Sequence, residues 1–66
     1  MNVYAITIND IDKLLLPTIE KLANELSGQV IAREKTKDGT YIEYEFPSYH
    51  NQKQFAAALL EIGLNL

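Results

Sequence analysis

The sequence predicts an α+β domain of order β-α-β-β-α, and three observations carry that prediction. Residues 3–8 (VYAITI) and 40–46 (TYIEYEF) are rich in β-branched and aromatic side chains at the two-residue period of a half-buried strand. Residues 11–26 and 55–62 set apolar side chains three and four positions apart, the period of a helix with one buried face. Lys37-Asp38-Gly39 separates two strand-like runs, which is a hairpin signal.

Each element can be justified in order. In the first strand Tyr4, Ile6 and Ile8 share one face and Val3, Ala5 and Thr7 the other, and the bulkier set is expected inside. The segment NDIDKLLLPTIEKLANELSG reads as a helix, with Asn9 or Asp10 accepting a bond from the first-turn amides. Ile11, Leu15, Ile19, Leu22 and Leu26 form its inner stripe. Pro17 removes a backbone donor, so a first turn over residues 10–15, a kink and a main helix over 17–27 are expected, with Pro17 facing outward. Gly28 is expected to end the helix in the left-handed conformation. In the second helix Asn51 and Gln54 form a capping-box pattern, with Ser48 as the competing cap. Phe55, Ala58, Leu59 and Ile62 make its inner stripe, and Gly63 followed by Leu64 its stop.

Two hairpin registers compete. A two-residue turn at Asp38-Gly39 sets Glu34 opposite Glu43 and turns Ile31, Arg33, Ile42, Tyr44 and Phe46 toward the helices. A three-residue loop at Lys37-Asp38-Gly39 pairs Thr36 with Thr40, Arg33 with Glu43, Lys35 with Tyr41 and Ile31 with Glu45. Its inner set is Val30, Ala32, Ile42, Tyr44 and Phe46. Cross-strand pairs are worth only ~0.2–1 kcal/mol each, whereas burying a lone arginine costs several times that. The three-residue loop is therefore the expected register.

The order strand, helix, strand, strand, helix, with the second and third strands as a hairpin, suggests a split β-α-β arrangement. It predicts a three-stranded sheet of order 2-3-1 with the first strand parallel to the third and both helices on one face. This layout resembles a truncated ferredoxin-like plan lacking its last strand, a likeness of fold that implies no activity.

At 66 residues the chain is expected to be a single domain, 1–66, and a domain of this size buries only ~60% of its unfolded surface. Small domains often add a disulfide, a metal or a partner subunit. With no cysteine and one histidine, disulfides, thiolate metal sites and histidine-rich metal sites are excluded, so no cofactor or metal is expected and a second subunit is. The net charge of −3 argues against nucleic acid and anionic membranes. The opening residues lack the basic end and long apolar run of a signal peptide, and the longest apolar run, Phe55 to Leu60, is too short to span a membrane. A cytoplasmic location is expected.

His50 sits in the polar SYHNQ segment, with Ser48 and Tyr49 near in sequence only, and reads as loop rather than general base. The pairs Asp10/Asp12 and Glu43/Glu45 read as a helix start and a strand face. The chain is thus expected not to be an enzyme. The outer sheet face would carry Val3, Ala5, Thr7, Ile31, Arg33, Lys35, Tyr41, Glu43 and Glu45, with Tyr41 its one stacking residue among balanced charges. From Phe55 onward Glu61 is the only charged residue, so Ala56, Ala57, Leu60 and Leu64 would leave helix two an uncharged outer side. The first strand would be an unguarded edge able to pair with another strand, unless the terminal residues GLNL cover it. The sequence therefore points to a non-enzymatic protein-interaction module, self-associating as a homodimer and acting as a small inhibitor or adaptor of a larger protein. Its interface would draw on Ala56, Ala57, Leu60, Leu64, Val3, Ala5, Ile31, Tyr41, Glu43 and Glu45. A small-molecule-sensing regulatory domain is the alternative, and a nucleic-acid-binding module the third choice.

Overall fold

A computed structural model describes residues 2–63. It contains β1 (Asn2–Ile8), a 3-10 turn (Ile11–Leu15), α1 (Leu16–Glu25), β2 (Gln29–Thr36), β3 (Gly39–Phe46) and α2 (Tyr49–Glu61). The strands form one sheet of order β1-β3-β2, antiparallel throughout. The expected order is found, but the expected parallel pairing of the first and third strands is not. The crossover through α1 returns the chain in the direction of β1, so β1 and β2 run the same way. The hairpin then reverses β3 into the gap between them, which makes it antiparallel to both.

The core lies on one face of the sheet. Ile6, Ile8, Ile42, Tyr44 and Phe46 meet Ile19 and Ala23 of α1 and Phe55 and Leu59 of α2. Phe55 is the hub, with its ring centroid 5.8 Å from that of Tyr4, 5.2 Å from Tyr44 and 4.9 Å from Phe46. Such aromatic contacts add to the apolar area they bury. Leu15, Leu22 and Leu26 pack at the margin of this cluster, whereas Ile11 is 87% exposed. The expected stripe fails at Ile11 because the segment before Pro17 is a 3-10 turn, whose period of three rotates that side chain away from the helical face. Ala23, outside the expected stripe, is fully inside.

The helix ends explain how the layers are joined. Asn9 Oδ1 accepts the Asp12 amide at 2.8 Å and caps the 3-10 turn. Pro17 occupies the first turn of α1, where its missing donor is harmless. At the other end Ser27, not Gly28, is left-handed, with φ 61. The Gly28 amide donates to the Ala23 carbonyl at 2.7 Å and the Ser27 amide to the Asn24 carbonyl at 3.0 Å, a Schellman closure. Gly28 is needed for room, since a Cβ there would lie 2.5 Å from the Phe46 ring. Ser48 caps α2, its Oγ accepting the Asn51 amide at 3.1 Å, so the Asn51/Gln54 pattern lies inside the helix. Asn51 instead donates from Nδ2 to the Leu26 carbonyl at 2.9 Å and ties the start of α2 to the end of α1. Gly63 has the left-handed φ, 91, of a helix stop. The expected contact at Leu64 and the folding back of residues 64–66 lie outside the described residues.

The hairpin takes neither expected register. Thr36 pairs with Gly39 across a two-residue turn, Lys37-Asp38, followed by Lys35 with Thr40, Glu34 with Tyr41, Arg33 with Ile42 and Ala32 with Glu43. A bulge at Ile31 then shifts the pairing, so that Val30 meets Tyr44. The Thr36 hydroxyl organises the turn, accepting the Asp38 amide at 3.2 Å and donating to the Gly39 carbonyl at 3.0 Å. Gly39 belongs to the strand. Its φ is 137, and a Cβ would lie 2.0 Å from the Ile8 carbonyl oxygen, so only glycine lets the end of β1 pass the turn. The expected register misplaces Arg33 because the helix side of β2 is not covered. Arg33 does face that side, but at 49% side-chain exposure and 3.3 Å from Glu20 of α1.

Candidate protein-binding face

The sheet face opposite the helices is built by β-strand alternation alone. Tyr41, Glu43 and Glu45 project from the central strand. Thr7, Ala5 and Val3 stand opposite them on β1, and Glu34 and Ala32 stand opposite Tyr41 and Glu43 on β2. Of the expected sheet-face residues, Val3, Ala5, Thr7, Tyr41, Glu43 and Glu45 are brought together. Ile31 is the unpaired residue of the bulge and is 45% exposed beside them. Arg33 and Lys35 leave the face, and Glu34 and Ala32 join it.

This exchange changes the electrostatics. The expected face had balanced charges, whereas the observed one has the carboxylates of Glu34, Glu43 and Glu45 and, among the described residues, no lysine or arginine paired into it. Tyr41 donates its hydroxyl hydrogen bond to Glu43 Oε2. That bond, then partial burial and the charges of Glu43 and Glu34, raise the Tyr41 hydroxyl above its ordinary value of 10.0. The Tyr41 proton is therefore held to higher pH than on a free tyrosine. Among the described residues no three His, Cys, Asp or Glu side chains are grouped to hold a metal ion, so these carboxylates make a spread acidic field rather than a chelate. His50 is exposed at the start of α2.

The helix-two residues form a separate surface on the far side of the molecule. Leu60 is 64% exposed, Ala57 is exposed and Ala56 half-buried, while Leu64 lies outside the described residues. This side is not uniformly apolar. Tyr49, 64% exposed, precedes it on the same stripe, and the Lys53 ammonium sits 5.6 Å from the Tyr49 ring centroid. Between α1 and α2 runs an open groove of about 420 Å³, lined by Leu22 and Glu25 of α1, its C-cap Leu26, and Ala57, Ala58 and Glu61 of α2 among others. Among the described residues no helix is long and apolar enough to cross a membrane.

Glu34 could have been found from the sequence only by knowing that the helices do not cover β2. The apolar pattern gives no sign of this, because Val30 and Ala32 alternate as the inner set of a covered strand would. Searches of protein-family models, curated proteins and solved structures return no match to this chain.

Proposed function

We propose that the chain is a non-enzymatic protein-binding module whose acidic sheet face takes a basic surface of a larger protein, as a small inhibitor or adaptor would. One observation carries the reading: Glu34 and Glu43 flank Tyr41, and Glu45 follows on the same uncovered face, without a compensating cation among the described residues. Like charges gathered on one face repel each other, and a cationic partner relieves that repulsion and is steered to it. Tyrosine is a frequent anchor of such interfaces, and its ring offers an arginine a cation–π contact. The same field repels phosphates, which disfavours the nucleic-acid reading. The ferredoxin-like likeness, truncated by one strand, bears on the architecture of this reading and adds nothing to its partner.

The test is affinity capture from the source cell with the parent chain and with a Glu43→Lys/Glu45→Lys variant whose circular dichroism matches the parent. A specific partner with a basic contact surface should be captured by the parent, released by rising salt and lost with the variant. Retention of that partner by the charge-reversed face would reject the reading.

Self-association is a second reading, and the edge of β1, unpaired among the described residues, favours it. Among those residues β1 pairs only with β3, and Gln52 Nε2 donates to its Val3 carbonyl at 3.0 Å. The acidic face would repel its own copy, so a homodimer would use the β1 edge or α2. Light scattering that gives a monomer at high micromolar concentration would dismiss it.

A further inference from the structure

On the opposite side of the sheet from the acidic face, α1 and β2 diverge around a cleft of about 410 Å³. Glu20, Ala23 and Asn24 line it from α1, Gln29, Val30 and Arg33 from β2, and Tyr44 from β3. The volume is in the range of small-ligand sites, ~300–1,000 Å³.

Three features distinguish it from an ordinary gap between elements. The Tyr44 hydroxyl is the one fully buried side-chain polar atom among the described residues that has no hydrogen-bond partner. A buried orphan of this kind is unfavourable, and phenylalanine would fill the same space without it. At the cleft Arg33 Nη2 donates directly to Glu20 Oε1 at 3.3 Å, and both side chains are half-exposed, so this is a solvent-screened pair that a ligand could replace. Finally, the hydroxyl lies within the field of both. Burial raises its proton affinity first, Glu20 raises it further and Arg33 lowers it.

We propose that this cleft binds a free α-amino acid, with Arg33 and Tyr44 donating to its carboxylate and Glu20 accepting from its ammonium. A zwitterion with its two charges one carbon apart can satisfy two opposite protein charges held this close without leaving either unpaired. A lone anion would strand Glu20, and a lone cation would strand Arg33. The orphan hydroxyl supplies the extra donor that a carboxylate, with two oxygens, can accept. The ligand's side chain would lie along Val30, Asn24 and Gln29. The hydroxyl has no solvent-exposed surface, so binding requires a lining side chain to move, and in this proposal it is the half-exposed Arg33. The site is independent of the acidic face, and the failure of either proposal leaves the other standing.

The experiment is amide NMR of the whole chain titrated with the L-amino acids, and with the matching amines and carboxylic acids lacking one charge. The range should reach about 10 mM, where even weak sites of millimolar affinity fill. At least one amino acid should shift the Asn24, Gly28, Gln29 and Val30 amides saturably, and its two single-charge analogues should bind far more weakly. Tyr44→Phe and Arg33→Gln should each weaken binding about tenfold or more, the loss expected for a hydrogen bond to a charged group. The melting temperature of Tyr44→Phe should not fall. An absence of saturable shifts with every amino acid, equal binding of a single-charge analogue, or unchanged affinity in Tyr44→Phe would each overturn the proposal.

Discussion

β1 and β2 are the two edges of one sheet, paired to the same central strand, yet different forces hold them. β1 places Ile6 and Ile8, each 2% exposed, into the aromatic core beneath α2. β2 buries no residue fully, and its largest apolar side chains, Val30 and Ile31, are each 45% exposed. What holds β2 is the backbone ladder to β3, the Thr36 turn and one exposed ion pair. Burial fixes strand register only where a second layer covers the strand. β1 has such a layer and β2 does not, so β2 can carry charge on both faces: Glu34 on the acidic side, Arg33 and Lys35 on the cleft side.

The largest effect should separate the two edges directly. Ile6→Ala removes a packed side chain and should cost ~2–5 kcal/mol, whereas Val30→Ala should stay within about 0.5 kcal/mol. Urea denaturation of both variants checks this. Equal losses would mean that β2 is covered in solution and would break the comparison.

Gly39 tests how the turn of the second edge is locked against the first. Alanine there combines a φ of 137 with a Cβ 2.0 Å from the Ile8 carbonyl oxygen. It should cost about 2–3 kcal/mol, towards the upper end for a residue forced into such a backbone region. Gly63→Ala is the control, because its φ is 91 but none of the described residues lies within 4 Å of its added Cβ. It should cost about 1 kcal/mol, the backbone penalty alone. If the two alanines cost the same, the close passage of β1 past the turn is not what demands glycine at 39.

This contrast also explains what the sequence could and could not reveal. Tyr4, Ile6, Ile8, Ile42, Tyr44, Phe46, Phe55 and Leu59 were legible because they repeat at two or near four residues under a covering layer. The β2 register was not, because its apolar start suggests a cover that α1 does not provide, and because Gly39 reads as a turn residue when its task is clearance beside Ile8. The same gap hides one of the three carboxylates: the strand period gives Tyr41, Glu43 and Glu45 a common face, but the expected register sets Arg33 beside them in place of Glu34. The Tyr44 cleft was beyond reach. It needs residues 20, 33 and 44 from three elements, and no spacing in the chain records their approach.

A smaller effect concerns the joint that launches β2. Ser27 holds a left-handed φ of 61, which costs a side-chain-bearing residue ~1–2 kcal/mol. Glycine relieves that strain but loses more backbone entropy on folding. Ser27→Gly should therefore stabilise the chain by about 0.5–1 kcal/mol, read as a raised urea midpoint with unchanged slope. A destabilised variant would mean that the serine side chain is needed to set the angle at which β2 leaves α1.

The smallest effect is expected at the ion pair that, among the described residues, links β2 to the helix layer. The Arg33 and Glu20 side chains are 49% and 50% exposed, so solvent screens most of their attraction. Arg33→Gln should cost at most about 0.5 kcal/mol, and the difference should shrink as salt is raised. Hydrogen exchange of the β2 amides should be nearly unchanged, because the ladder to β3 protects them and the ion pair does not. A loss above about 1 kcal/mol with faster β2 exchange would mean that this pair sets the strand in place. Arg33 would then belong to the scaffold, and the two edges would be held by side chains after all.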